Sequence, residues 1–161
     1  MTAPRYHIQV ALTPERLKAI GPLIPGAWGR QGDELNREIR GEFLLDTGAY
    51  GAMIDLEAAE LLHLPSRGTR EIHGIHGYGT LQQFAAKVIL PARDAGGQEC
   101  VFEQAMECVG VPALREKSRE QSANVIGILG RIFLQDARLD VDWRSGRVVL
   151  QVGEIDGSKD H

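Results

Sequence analysis

Residues 43–49 read Phe-Leu-Leu-Asp-Thr-Gly-Ala, and this stretch constrains the fold more than any other part of the chain. It closes a segment, residues 38–45, that alternates as a strand. Ile39, Gly41, Phe43 and Leu45 fall on one face, with Arg40, Glu42 and Leu44 on the other. The last three residues, Phe43, Leu44 and Leu45, are apolar on both faces, so the strand lies inside a sheet and not on its rim. A carboxylate at the end of such a strand, Asp46, is costly unless hydrogen bonds or a function hold it there. Gly48 lets backbone amides approach Asp46 closely, and the Thr47 hydroxyl can lock the loop against a neighbouring copy. The plainer alternative is a strand-ending turn, in which Asp and Gly play their usual turn roles.

The rest of the chain is read as β-rich. Nineteen glycines in 161 residues exceed the average of roughly 7%, and without low-complexity tracts they imply many tight turns. Residues 6–12 alternate as a strand, and Thr13 caps a short helix with Pro14 in its first position. Residues 21–32 hold several Gly and Pro breakers and read as a loop. Asp55 is an N-cap for a helix over residues 55–62, which Pro65 stops. Residues 71–90 form a hairpin with Gly74, Ile75, His76, Gly77, Tyr78 and Gly79 at its tip. Residues 94–97 turn, residues 100–109 form a strand, and residues 111–124 make a polar surface excursion with room for one helical turn. An apolar run with Gly127 inside it covers residues 125–130, and residues 131–135 are a short helix. Two last strands, residues 139–143 and 147–152, are joined by Arg144, Ser145 and Gly146. No internal repeat is visible. A chain of this size builds one core. Residues 1–37 are an unassigned N-terminal extension, residues 38–153 form the domain, and residues 154–161 are a polar tail expected to fray.

Composition narrows the function classes. The net charge of −4 gives no general attraction for phosphate backbones, so no nucleic-acid partner is expected. No apolar run approaches the ~18 residues that span a bilayer, so no membrane partner is expected either. Arg5, Glu15, Arg16 and Lys18 interrupt any signal-peptide core. Two cysteines, Cys100 and Cys108, are no disulfide framework. They lie at the two ends of one expected strand, about 26 Å apart, and are read as reduced thiols. The expectation is a soluble, cytoplasmic protein. His73 and His76 make a His-x-x-His pair that could draw in His63 or a cysteine, but loop histidines without a clear third ligand are read as solvated, and no metal is expected.

The stretch Phe43-Leu44-Leu45-Asp46-Thr47-Gly48-Ala49 closely resembles the active-site motif of retropepsin-like, that is retroviral-type, aspartic proteases. A second motif of that family follows at the matching distance as Ile128-Leu129-Gly130-Arg131-Ile132-Phe133-Leu134. Between them lie a helix, a Gly-rich hairpin and connecting strands in the family's order. The resemblance covers roughly residues 40–150 and is greatest to single-domain bacterial members. It implies an all-β, closed acid-protease fold with a short helix, working as a homodimer. The family needs two Asp-Thr-Gly loops for one active site, and this chain has one. The resemblance therefore implies a dyad formed by Asp46 of two protomers about a two-fold axis. Thr47 and Gly48 would complete the catalytic loop. Ala49 and the hairpin residues Gly74, Ile75, Gly77, Tyr78 and Gly79 would line the substrate site as a mobile flap. Ile128, Leu129, Gly130 and Arg131 would form the structural second motif. The activity implied is endopeptidase hydrolysis of extended polypeptides with apolar preference, needing no cofactor.

The hairpin taken alone also reads as an ordinary Gly-rich turn. One departure stands out. Where the viral enzymes carry an acidic residue after Ala, this chain has Tyr50. Arg131 therefore lacks its family partner, and Glu57, Asp55 or a backbone carbonyl are the candidates to replace it. That departure motivates the alternative reading, a non-catalytic dimeric peptide-binding or regulatory module on the same fold.

Overall fold

A computed structural model describes residues 6–74 and 77–153. The expectations for residues 154–161 fall outside them. In chain order the elements are β1 (Tyr6–Ala11), α1 (Pro14–Ile20), β2 (Leu23–Gly29), β3 (Glu38–Leu45), β4 (Ala52–Asp55) and α2 (Leu56–Leu61). There follow β5 (Ser66–Gly74), β6 (Gly77–Arg93), β7 (Glu99–Val111) and α3 (Leu114–Arg119), then β8 (Val125–Leu129), α4 (Arg131–Leu134), β9 (Ala137–Asp142) and β10 (Arg147–Val152).

Six strands close into a barrel in the order β2, β3, β8, β4, β7, β6, with β6 returning to β2 through Ala27↔Ile89, Trp28↔Val88 and Gly29↔Lys87. The fold is thus mostly β with short helices, as the glycine content and alternation suggest. The long strand β6 is its spine. One edge pairs with β7 from Gln83 to Arg93, and the other meets β5, then β2, then β1 at His7↔Arg93. Beyond β1, strands β10 and β9 extend the sheet away from the barrel. Residues before 38, unassigned from sequence, therefore supply two strands of the same sheet. Among the described residues no helix is long and apolar enough to cross a membrane.

An aromatic pair fills the barrel. Trp28 and Phe43 are fully buried and meet edge to face, with ring centroids 5.0 Å apart. The Trp28 indole N–H donates to the Ile126 carbonyl at 2.9 Å, so its polar atom is satisfied inside the core. Glycines make the room. Gly26 stands opposite Gly41 across β2 and β3. A Cβ on Gly26 would lie 2.6 Å from the Phe43 ring, and one on Gly127 would lie 2.7 Å from the Trp28 indole nitrogen.

Two expectations are corrected here. Residues 21–32 are not a loop throughout, because residues 23–29 form β2. Its glycine is a packing device, and its proline costs no ladder bond. Pro25 faces Glu42, and Glu42 sends its N–H the other way, to Asn124 O at 2.8 Å. The Pro25–Glu42 pair therefore exchanges no hydrogen bonds, and β6 begins to pair on the far side of β2 only at Ala27. The helix expected over residues 55–62 begins one residue later, because Asp55 ends a strand, β4, that at four residues is too short to show a period in sequence.

The caps form as the residue types dictate. Thr13 Oγ1 accepts the Arg16 N–H at 3.1 Å, with Pro14 at the helix start. Asp55, 1% exposed, caps α2 through Oδ2, which accepts the Ala58 N–H at 3.2 Å. Its Oδ1 accepts the Arg115 N–H at 3.1 Å, tying β4 and α2 to the start of α3. Every buried side-chain nitrogen or oxygen among the described residues has a partner.

Asp55→Ala removes a cap and a cross-element bond together. It is expected to lower unfolding free energy by about 2 kcal/mol, measured by urea denaturation; a change under about 0.5 kcal/mol would show that the buried carboxylate holds nothing. The thiols give a second check. Both cysteines are free, Cys100 half-buried and Cys108 buried. Burial pushes the Cys108 thiol up to about 12, with the Glu107 charge adding to the shift. A thiol-disulfide reagent at pH 8 should therefore modify Cys100 alone in the native protein and reach Cys108 only on unfolding.

Candidate functional site

The topology itself builds the site. Strand β8 lies between β3, to which it is parallel, and β4, to which it is antiparallel. The loop of residues 46–51 that joins β3 to β4 must therefore cross the end of β8, and the chain leaving β8 must pass beneath that loop. Leu45 registers with Leu129, so Asp46 and Gly130 leave adjacent strands at the same level.

Hydrogen bonds fix the crossing. The Asp46 N–H donates to Leu129 O at 3.0 Å, and the Ala49 N–H donates to Asp46 O at 3.2 Å. From the other side, the Arg131 and Ile132 amides donate to Ala49 O and Tyr50 O, both at 2.9 Å. The Arg131 guanidinium reaches back to Thr47 O at 2.8 Å. Of the three replacements open to Arg131, a backbone carbonyl is the one it uses. Asp55 is spent instead on α2 and α3.

Gly130 occupies the point of closest approach. A Cβ there would lie 2.5 Å from the carbonyl oxygens of both Ala49 and Gly51. Its backbone, at φ −94° and ψ −161°, is extended and open to any residue. Glycine is needed for space alone.

Asp46 is half-buried, while Thr47, Gly48 and Tyr50 are exposed and Ala49 is buried. Asp46 Oδ1 accepts the Gly48 N–H at 2.8 Å, which orients the carboxylate at the outer tip of the loop. A groove of about 550 Å³ runs between this loop and β5, within the range of small-ligand sites. Asp46, Gly48, Ala49 and Met53 line it from the loop and β4, Ile72 and Gly74 from β5, and Val109 from β7.

The other expected site residues fall as follows. In the β5–β6 hairpin, Ile72 faces Gly79, His73 faces Tyr78 and Gly74 faces Gly77. Ile75 and His76, at the tip, lie outside the described residues. Gly79 has no heavy atom within 4 Å of where its Cβ would stand, so no contact among the described residues demands glycine there. Ile128 is half-buried between Leu44 and Met53, and Leu129 is fully buried. Among the described residues, no group of three or more His, Cys, Asp or Glu side chains is placed to hold a metal ion.

Sequence reasoning missed one pair. The Arg70 guanidinium lies over the Tyr50 ring, 5.4 Å from its centroid, and both residues line the groove. The signal that existed was the period of β5, which places Arg70 and Ile72 on one face. Ile72 is half-buried between exposed neighbours. In comparisons with known proteins, no family model and no curated protein matches the chain.

The crossing predicts a sharp contrast between glycines. Gly130→Ala is expected to cost about 3 kcal/mol or to prevent folding, since both obstructing atoms are backbone. Gly79→Ala should change stability by less than about 0.5 kcal/mol. Thermal and urea denaturation of the two variants check this, and equal stabilities would contradict the close passage at Gly130.

Proposed function

We propose that the chain is an aspartic endopeptidase of the retropepsin-like kind, active as a homodimer in which two Asp46 residues share one catalytic centre. The observation that carries this reading is the Asp46 loop. A carboxylate at the end of an interior strand is oriented by Gly48, braced from below by residues 129–132, and opens on a groove bounded by a long hairpin. One chain supplies one such loop, and its tip is exposed, so a second copy can approach it.

In this proposal the two carboxylates share a single proton, because like charges at close range cannot both ionise freely. The ionised Asp46 takes a proton from a water molecule as its oxygen attacks the peptide carbonyl. The protonated Asp46 of the other copy supplies a proton as the C–N bond breaks and the amine leaves. The β5–β6 hairpin covers the extended peptide and excludes water. No metal or organic cofactor takes part.

A second reading, a dimeric module that binds peptides without cleaving them, is favoured by Tyr50 standing where the family carries an acid and by Arg131 bonding a carbonyl. Incubation with an unstructured polypeptide at mildly acidic pH separates the two. Cleavage abolished by Asp46→Asn supports the enzyme, while binding without cleavage supports the module.

The shared proton also fixes a pH dependence. Activity should be bell-shaped, with both limbs belonging to the pair. On the acid side the base is lost. On the alkaline side two charges face each other, so the dimer should weaken as pH rises through the upper limb. Asp46→Asn cannot ionise and should dimerise at least as well as wild type there. Sedimentation across pH tests this, and a mutant dimer that weakens as steeply as wild type would show that Asp46 does not face its own copy.

A further inference from the structure

We propose that Arg70 makes the groove selective for a peptide that carries a carboxylate, so that the preferred occupant is an anionic segment and not a purely apolar one. This inference rests on the reading of the groove as a peptide site. Arg70 projects from β5 over the loop that bears Asp46. Its guanidinium carbon is 5.4 Å from the centroid of the Tyr50 ring, and its Nη1 is 3.6 Å from where a Cβ on Gly51 would stand. Arg70, Tyr50 and Gly51 all line the groove.

Arg70 is the one arginine among the described residues that line the groove, and several arginines outside it are held by partners. Arg16 pairs with Glu42, Arg37 with Asp33 and Arg40 with Glu38, while Arg131 donates to Thr47 O. Among the described residues no carboxylate lies within ion-pairing distance of Arg70, and its contact is the Tyr50 ring. An aromatic face steadies a guanidinium but does not use its N–H donors, which lie in the guanidinium plane and remain open to a bidentate carboxylate. The aromatic contact also limits the side-chain freedom that binding would otherwise remove. Glu71 and His73 line the groove from the same strand, so Glu71 adds a second acidic residue beside Asp46. The Asp46 carboxylate in the same groove repels an anion, and Arg70 sets where along the groove an anion is tolerated.

The carboxylate can come from an Asp or Glu side chain or from the C-terminus of the peptide. The test uses the full chain bearing Asp46→Asn, so that binding is read without turnover. Labelled extended peptides carry Glu, Gln or Lys at each position in turn, with amidated or free C-termini, and affinity is followed by fluorescence anisotropy at low and high salt. The expected result is that one Glu position, or the free C-terminus, binds about tenfold tighter than its neutral counterpart at low salt, with the gain shrinking at high salt. The amidated series assigns the effect to a side chain, and the free-terminus series assigns it to the chain end. Arg70→Met should abolish the preference, and Arg70→Glu should turn it toward Lys. Equal binding of Glu, Gln and Lys peptides, a preference that survives in Arg70→Met, or no binding of any peptide would overturn the inference.

Cleavage by the wild-type chain is scored separately. Asp46-dependent cleavage without an Arg70-dependent preference leaves the enzyme and removes this inference. Arg70-dependent binding without cleavage does the reverse.

Discussion

The site depends on one crossing of the chain over itself. Strand β8 runs between the two strands that the Asp46 loop connects, and its continuation must pass under that loop. Backbone stacked this closely leaves no room for a side chain, so Gly130 is fixed by volume, its Cβ position obstructed by two carbonyl oxygens. The same closeness lets three amides and one guanidinium bond across the junction. The Asp46 carboxylate is oriented within the loop by its own Gly48 amide on Oδ1, and the bracing fixes where that loop stands.

The barrel exists to hold β3 and β8 side by side. Trp28 serves this directly, since its indole N–H bonds the Ile126 carbonyl of β8 while its ring packs against Phe43 of β3. Glycines at positions 26 and 127 clear space for the two rings, and Gly41 clears space for Ile126 and the Asn124 backbone. An interior strand this crowded is stiff, because close-packed side chains have no alternative arrangement to relax into. A carboxylate set at its end inherits that stiffness.

Much of this was legible in the sequence because the signals were local. The apolar run into Asp46 marked an interior strand, Asp55 and Thr13 marked helix starts, and the apolar residues around Gly127 marked β8. What escaped was set by distant partners. Strand β2 looked like a loop because Gly26 and Pro25 break strands on their own, yet one is demanded by Phe43 and the other is harmless beside Glu42. The role of Gly130 was legible as a motif position, but its cause, two carbonyls contributed by another part of the chain, was not. Tyr50 read as a missing acid, and its contact with Arg70 depends on how β5 folds over the loop.

The crossing also orders the assembly of the molecule. Thr47 and Arg131, which bond across it, are 84 residues apart in the chain. Closing so long a stretch is slow and is repaid only when many distant contacts form together. The groups that hold the Asp46 loop from beneath belong to residues 129–132, so the loop can take its final shape only after β8 and the start of α4 have been synthesised and threaded into place. During synthesis, the nascent chain carries an unbraced Asp-Thr-Gly segment, and the loop gains its support only once residues 129–132 have been made.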